Sequence, residues 1–331
     1  MLMKARTVKH TTRVAGVILL ALACHPAQAD RDATAVQEPP SGRGAINAAS
    51  PAVSALPAFG PATSLLVVAP HPDDESLCCA GVIQRVLAAG GRVSIVWITS
   101  GDASELDLIV VEKSLFVKPA LLRDLALKRM QEARAAAAVL GVSPDRLYFL
   151  GYPDRGVLSI VTDNYATPYH SRFTDAASVP YTGALFPGHP YTGLSLERDF
   201  ESVLDRVRPT LVLAPSPRDT HSDHRATGIL TLRTLARHSQ LARARYWIVH
   251  GGEGWPTPRG YQPERELGLP PRGKGLALAP FRLQPPEEQR KATALRTYRT
   301  QMEVMSSILL SYVRTTELFS AEPMPARVPE E

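Results

Sequence analysis

Cysteine is scarce in this sequence: of 331 residues only Cys24, Cys78 and Cys79 are cysteines. Cys78 and Cys79 are adjacent, and neighbouring cysteines seldom meet the separation and torsion of a disulfide. No disulfide framework is readable, and both are expected to pack as small hydrophobes at the start of a buried helix. Net charge is scarce as well. The 37 Lys and Arg exceed the 32 Asp and Glu by five, but four of the bases and none of the acids lie in residues 1–29, leaving 33 against 32 beyond them. A chain so balanced has no basic face with which to displace phosphate counterions, which excludes nucleic acid as a partner. The apolar run over 14–23 falls short of the roughly 20 residues that cross a bilayer, so no transmembrane span is expected. A glycine-rich turn after the first strand is also missing, which argues against a nucleotide-binding oxidoreductase.

What the first residues do hold is a basic start (Lys4, Arg6, Lys9, Arg13), the short apolar run and Ala27-Gln28-Ala29. These are the parts of a secretory signal peptide over 1–29, so the chain is expected to be exported, periplasmic or secreted. Ala21-Leu22-Ala23 before Cys24 also approximates a lipoprotein box, making a lipid anchor at Cys24 the alternative. Residues 30–63, rich in Ala, Pro, Ser and Gly, read as a flexible leader. The folded domain is expected over 64–320, followed by a flexible tail over 321–331. With 44% hydrophobic residues, the chain has material for one substantial core.

Leu65-Leu66-Val67-Val68-Ala69 is a continuous apolar run of the kind buried on both faces of a sheet. A helix over 76–89 follows, ended by Gly90-Gly91, and then a strand over 93–98. The alternation continues with a helix over 126–140, a strand over 147–150, a helix over 196–207 and a strand over 210–214. A helix over 224–237, a strand over 246–249 and one long helix over 287–313 complete it. The fold class is α/β: a Rossmann-like, mostly parallel sheet flanked by helices, in a single domain. A loop insertion over 155–194, in which Pro-Tyr-Thr-Gly occurs twice, is expected to lie over the site, since loops of that length are usually functional.

Open parallel sheets bind ligands outside the carboxyl ends of their strands. His71-Pro72-Asp73-Asp74-Glu75 follows the first strand there, and Asp219-Thr220-His221-Ser222-Asp223-His224 follows the strand at 210–214. Acids at a helix start can serve only to cap it and complement its dipole, and the second run can be a polar loop. Together they offer imidazole nitrogen and carboxylate oxygen, the ligands suited to catalytic zinc, for which two His and one Asp suffice.

The His71-Pro72-Asp73-Asp74-Glu75 run with His221-Ser222-Asp223-His224 downstream resembles the PIG-L/LmbE family of N-acetylglucosamine deacetylases. Thr99-Ser100-Gly101-Asp102, Arg129 with Glu132, Gly141 and the segment 291–301 extend the likeness. The resemblance implies one divalent ion per chain, zinc, held by His71, Asp74 and His224. It also implies a metal-activated water, with Asp73 as general base. His221 would stabilise the oxyanion as an imidazolium and act as acid, with Asp223 holding its tautomer. The substrate implied is a small molecule or glycan carrying an N-acetyl amino sugar.

Asp102, Arg129 and His250 are weaker candidates for substrate contact. Arg129 and Glu132 equally fit a helical i, i+3 ion pair. His170 and His189 are given no metal role, and Tyr165, Tyr169, Tyr181 and Tyr191 are suited either to stacking on sugar faces or to loop packing. A zinc amidase for a different amide and a non-catalytic sugar-binding protein on the same fold remain alternatives. Intact-mass measurement of secreted or periplasmic protein is expected to show loss of residues 1–29; their retention, or a lipid on Cys24, contradicts soluble export.

Overall fold

The computed structural model describes residues 56–103 and 118–324. The signal peptide over 1–29, Cys24, leader residues 30–55 and tail residues 325–331 lie outside the described residues. Five strands form one parallel sheet: β1 (Ser64–Ala69), β2 (Arg92–Thr99), β3 (Leu147–Tyr152), β4 (Leu211–Pro215) and β5 (Ala244–Trp247), in the order β3-β2-β1-β4-β5. β1 pairs in register with β2 on one side (Val67 opposite Ile95) and β4 on the other (Val67 opposite Leu213). Every residue of β1 is buried, as its unbroken apolar run requires. The chain builds outward from β1 through β2 and β3, then restarts on the other side with β4. The point where strand order reverses therefore lies between the carboxyl ends of β1 and β4, the crevice in which such sheets bind ligands.

The helices are α1 (Asp74–Ala88), α2 (Pro119–Leu140), the short α3 (Val157–Val161), α4 (Gly193–Val207) and α5 (Ser222–Arg237). Ala133, Ala136 and Ala137 give α2 a small buried face, and Gly141 ends it in the left-handed conformation. Two features differ from the sequence expectation near the C-terminus. The single helix over 287–313 is two helices, α6 (Pro285–Leu295) and α7 (Arg299–Leu310). The break turns Tyr298 and Gln301 inward, where the hydroxyl of Tyr298 donates to Glu75 and the amide of Gln301 donates to Asp73. A small antiparallel sheet of β6 (Ala279–Arg282) and β7 (Thr316–Phe319) also flanks this region.

Cys78 and Cys79 are buried as expected, but they form a disulfide, S–S 2.10 Å, rather than remaining free. The first turns of α1 are enclosed without a break from Asp74 to Gln84, so the core holds both sulfurs. The same enclosure admits an ion pair against the helix. Lys291 Nζ donates to the Leu77 carbonyl at 2.8 Å and to Glu317 Oε1 at 2.9 Å, and Glu317 accepts from the backbone N–H of Gly81 (2.9 Å) and Val82 (3.3 Å). Glycine at 81 permits this approach: a Cβ there would lie 2.7 Å from Leu283 Cγ and 3.1 Å from Glu317 Oε2. Lys291 and Glu317 thereby tie α1, α6 and β7 together.

Removing one member of such a pair strands the other charge in the core. Lys291→Met is expected to lower unfolding free energy by about 3–5 kcal/mol, measured by urea denaturation; a loss under about 1 kcal/mol contradicts a structural role for the pair.

Candidate metal centre

The turn between β1 and α1 brings His71, Asp73 and Asp74 to the crevice. Asp73 sits at φ 130°, ψ −30°, a conformation that costs a non-glycine residue on the order of 1–3 kcal/mol. Its side chain makes no capping hydrogen bond to α1, so the simple helix-cap reading fails for it. The strained turn is clamped from three sides. Glu75 accepts from the Asp73 backbone N–H (3.3 Å), Trp97 Nε1 (3.0 Å), the Ser76 hydroxyl (2.5 Å) and the Tyr298 hydroxyl. Arg129 Nη2 and Gln301 Nε2 both donate to the Pro72 carbonyl, at 3.3 and 3.1 Å.

His71 Nδ1, Asp74 Oδ2 and His224 Nε2 form a triangle with edges of 3.3, 3.2 and 3.2 Å. Three ligands about 2.0–2.1 Å from one tetrahedral ion stand about 3.3–3.4 Å apart, so the triangle fits a zinc-sized ion. The far side of each ring supports the same assignment. His71 Nε2 lies 3.3 Å from Asp154 Oδ1 and 3.4 Å from Asp223 Oδ2, and His224 Nδ1 lies 3.2 Å from Asp219 Oδ2. A metal-ligating histidine typically gives its other N–H to a carboxylate, which fixes the tautomer and ring angle. The groups His71–Asp154–Asp223 and Asp219–His224–His250, which also cluster closely enough to hold an ion, contain these outer partners.

Asp154 and Asp219 carry no role in the sequence reading, although each follows a strand at the ligand-binding edge. Asp219 also receives the backbone N–H groups of His221 (2.9 Å), Val249 (3.0 Å) and His250 (2.9 Å), and so anchors the whole β4–α5 turn. Asp223 is corrected: its carboxylate accepts from the Arg155 N–H at 2.6 Å and faces His71, not His221. Only its backbone touches His221, donating to Nδ1 at 3.3 Å as part of the helix cap.

That hydrogen bond makes Nδ1 of His221 the acceptor and leaves the proton on Nε2. Burial, followed by the charges of His71, His224 and His250, holds its pKa down to about 2. In the metal-free protein His221 therefore turns a neutral ring with Nε2–H toward the pocket it lines. For His71 burial opposes the charged ring, but Asp154, Asp223 and Asp74 outweigh it and raise the pKa well above the ordinary value. His224, against the same burial, is raised to about 9 by Asp74 and Asp219. Asp73 is pushed well above the usual carboxylate range by burial and then by Asp74, against Arg129 and His71.

A pocket of about 160 Å³ opens on this centre, lined by His71, Asp73, Ala103, Arg129, Asp154, Arg155, His221, His250, Gln301 and Met305. Arg129 and His250 thus border it as expected. Asp102 does not. It is fully buried, accepting from the Asp154 backbone N–H at 2.9 Å and the Tyr181 hydroxyl at 2.6 Å, and it positions Asp154 from behind. Its neighbour Gly101 has φ +69°, and a Cβ there would stand 2.4 Å from the Arg129 guanidinium, which donates to the Gly101 carbonyl at 2.9 Å. Glu132 does not pair with Arg129 in an i, i+3 bridge; it accepts from Thr300 N (3.0 Å) and Oγ1 (2.7 Å), holding the start of α7 and hence Gln301.

Of the insertion over 155–194, Arg155 lines the pocket. Tyr181 and Tyr191 are buried within the fold, and Tyr165 donates to Glu197 at 2.8 Å, so these three are packing groups and not sugar platforms. His189 pairs with Asp199 at 2.8 Å and His170 with Asp175 at 3.3 Å, outside the pocket lining.

Residues 66–235 match the family model PIG-L, described as GlcNAc-PI de-N-acetylase. A 1D-myo-inositol 2-acetamido-2-deoxy-alpha-D-glucopyranoside deacetylase of Mycobacterium sp. (strain KMS) is 30% identical over 192 residues, 57% of this chain and 56% of that protein. The enzyme of the same description from Actinosynnema mirum is 30% identical over 236 residues, 68% of this chain and 69% of that one. The chain therefore spans a little over half the length of the first relative and about two thirds of the second. A solved deacetylase triple mutant involved in the teicoplanin biosynthetic pathway shares the fold, with a TM-score of 0.50 at 17% identity over 78% of this chain and 97% of that chain.

In the metal-free protein the raised pKa values of His71 and His224 mean that the folded state binds more protons than the unfolded state between about pH 6.5 and 9. Stability from this source is full below about pH 6.5 and lost as pH rises through about 9. Zinc must displace the same protons, so its affinity is expected to rise about tenfold per pH unit for each proton released. Calorimetric zinc titrations at several pH values check this; a pH-independent affinity contradicts ligation by these histidines.

Proposed function

Because the chain belongs to the PIG-L family, we propose that it is a zinc-dependent N-deacetylase that hydrolyses the acetamide of an N-acetylglucosamine-like sugar. The observation that carries the reading is the ligand triangle of His71, Asp74 and His224 with an unligated carboxylate, Asp73, beside it. Two imidazoles and one carboxylate are a donor set suited to zinc with an open coordination place. When bound, the ion supplies Lewis acidity to the amide carbonyl and lowers the pKa of water.

The residues then divide the remaining work. Asp73 has one oxygen on Gln301 Nε2, which leaves the other to take a proton from the attacking water. Asp74 is unsuited to that task, since Oδ2 already accepts the backbone N–H of His71 at 2.9 Å and faces both histidine rings. His221 presents Nε2–H as a neutral hydrogen-bond donor to the developing oxyanion. The proton gathered by Asp73 passes to the amine nitrogen as the C–N bond breaks, giving acetate and the free amino sugar. Arg129, held by the Gly101 and Pro72 carbonyls, contributes a fixed positive wall. We further infer that the mature chain acts outside the cytoplasm, a reading supported by the composition of residues 1–29.

The test separates the two adjacent aspartates. Asp74→Ala is expected to lose metal and activity together. Asp73→Asn is expected to keep near-stoichiometric zinc while turnover on N-acetylglucosamine glycosides falls roughly 10²–10⁴-fold. Metal analysis beside acetate-release kinetics decides it. Zinc lost from Asp73→Asn but kept by Asp74→Ala reverses the roles, and full activity in both removes the turn from the mechanism.

A further inference from the structure

Two residues one turn apart on α2 reach the strained Asp73 turn by different routes. Arg129 lines the pocket and donates directly to the Pro72 carbonyl. Glu132 is outside the pocket lining, and its carboxylate takes both the N–H and the hydroxyl of buried Thr300, at 3.0 and 2.7 Å. The next residue is Gln301, whose Nε2 donates to the Pro72 carbonyl at 3.1 Å and to Asp73 Oδ2. Two acceptors on one nitrogen use both amide hydrogens and leave the amide a single orientation. Gln301 Oε1 is buried without a hydrogen-bond partner, so the other end of the amide does nothing to steer it.

The helix that carries Gln301 is interrupted on both sides. It starts after Tyr298, at φ −77°, ψ 66°, and leaves helical geometry again at Met305, at φ −138°, ψ 29°. A stretch of less than two turns has little stiffness of its own, so its tethers set its place. At its start those tethers are Glu132 on Thr300 and the Tyr298 hydroxyl on Glu75. We infer that Glu132 is a positioning residue for the hydrolysis: through Thr300 it fixes Gln301, and through Gln301 it holds the Asp73 carboxylate where it can take the proton of the attacking water. This rests on the deacetylase reading and extends its machinery to a carboxylate outside the pocket. The metal triangle is held by other partners, Asp154 and Asp223 at His71 and Asp219 at His224, so loss of the clamp disturbs the base and spares the ligands.

The test measures zinc content and acetate release from an N-acetylglucosamine glycoside with the zinc-loaded full chain. Glu132→Ala is expected to keep near-stoichiometric zinc and a KM within about twofold of wild type while kcat falls roughly 10- to 100-fold. Glu132→Gln, whose amide oxygen can still accept from Thr300, is expected to recover most of that loss. Added to Gln301→Ala, Glu132→Ala is expected to lower kcat by less than about twofold more, because both act on Asp73 through one path. If Glu132→Ala does not fold, Thr300→Val removes one of the two donors and is expected to lower kcat a few-fold at unchanged KM. Wild-type kcat in whichever of these two variants folds disproves the positioning role and leaves the deacetylase reading standing. So does loss of zinc in step with kcat, or a Glu132→Ala loss that multiplies in full with that of Gln301→Ala. If zinc-loaded wild type releases no acetate, the deacetylase reading fails and the role of Glu132 with it.

Discussion

The ring of His71 has carboxylates at both of its nitrogens, and the site depends on that placement. Nδ1 faces Asp74 and His224, while Nε2 faces Asp154 and Asp223. One side offers a ligand triangle and the other fixes which nitrogen takes part in it. His224 repeats the design, with Asp74 at Nε2 and Asp219 at Nδ1. Each carboxylate is in turn aimed from another strand end: Asp154 by Asp102 after β2, Asp219 by backbone N–H groups after β5, and Asp223 by the backbone of Arg155 after β3. The parallel sheet matters here because it sets all of these strand ends along one edge, with the reversal of strand order between β1 and β4.

Burying this many acids together is costly unless cations and donors answer them. Asp73, Asp74, Asp154, Asp219 and Asp223 are all largely enclosed. Arg129 and the two metal-facing histidines supply positive charge from the protein, yet Asp223 Oδ1 and Gln301 Oε1 are left without partners. The proposed divalent ion would add positive charge to this array. The C-terminal helices complete the arrangement from outside the family match: Glu132 holds the start of α7, α7 delivers Gln301, and Gln301 holds Asp73. The strained Asp73 turn persists because Glu75, Arg129, Tyr298 and Gln301 determine it together.

Much of this was legible in the sequence because it is local. An apolar run followed at once by His71-Pro72-Asp73-Asp74-Glu75, and a second strand followed by the Asp219–His224 run, place ligands by adjacency alone. The roles of Asp154 and Asp219 were not legible, although their positions after strands were, because which carboxylate meets which imidazole nitrogen depends on ring orientation. Asp223 stands two residues from His221 in the sequence, whereas the α5 cap turns its carboxylate toward His71. The tyrosines of the insertion suit sugar stacking and loop packing equally by composition, and long-range contacts decide for packing where they draw Tyr181 to Asp102 and Tyr165 to Glu197. The break between α6 and α7 has no proline to mark it; it follows from what Tyr298 and Gln301 must reach.

The most direct measurement is anomalous scattering at the zinc edge from crystals of the zinc-loaded protein. The account predicts one strong peak bonded to His71 Nδ1, the Asp74 carboxylate and His224 Nε2, with Asp154, Asp219 and Asp223 still at the opposite ring nitrogens. A peak among Asp219, His224 and His250, or on Nε2 of His71 between Asp154 and Asp223, would contradict it.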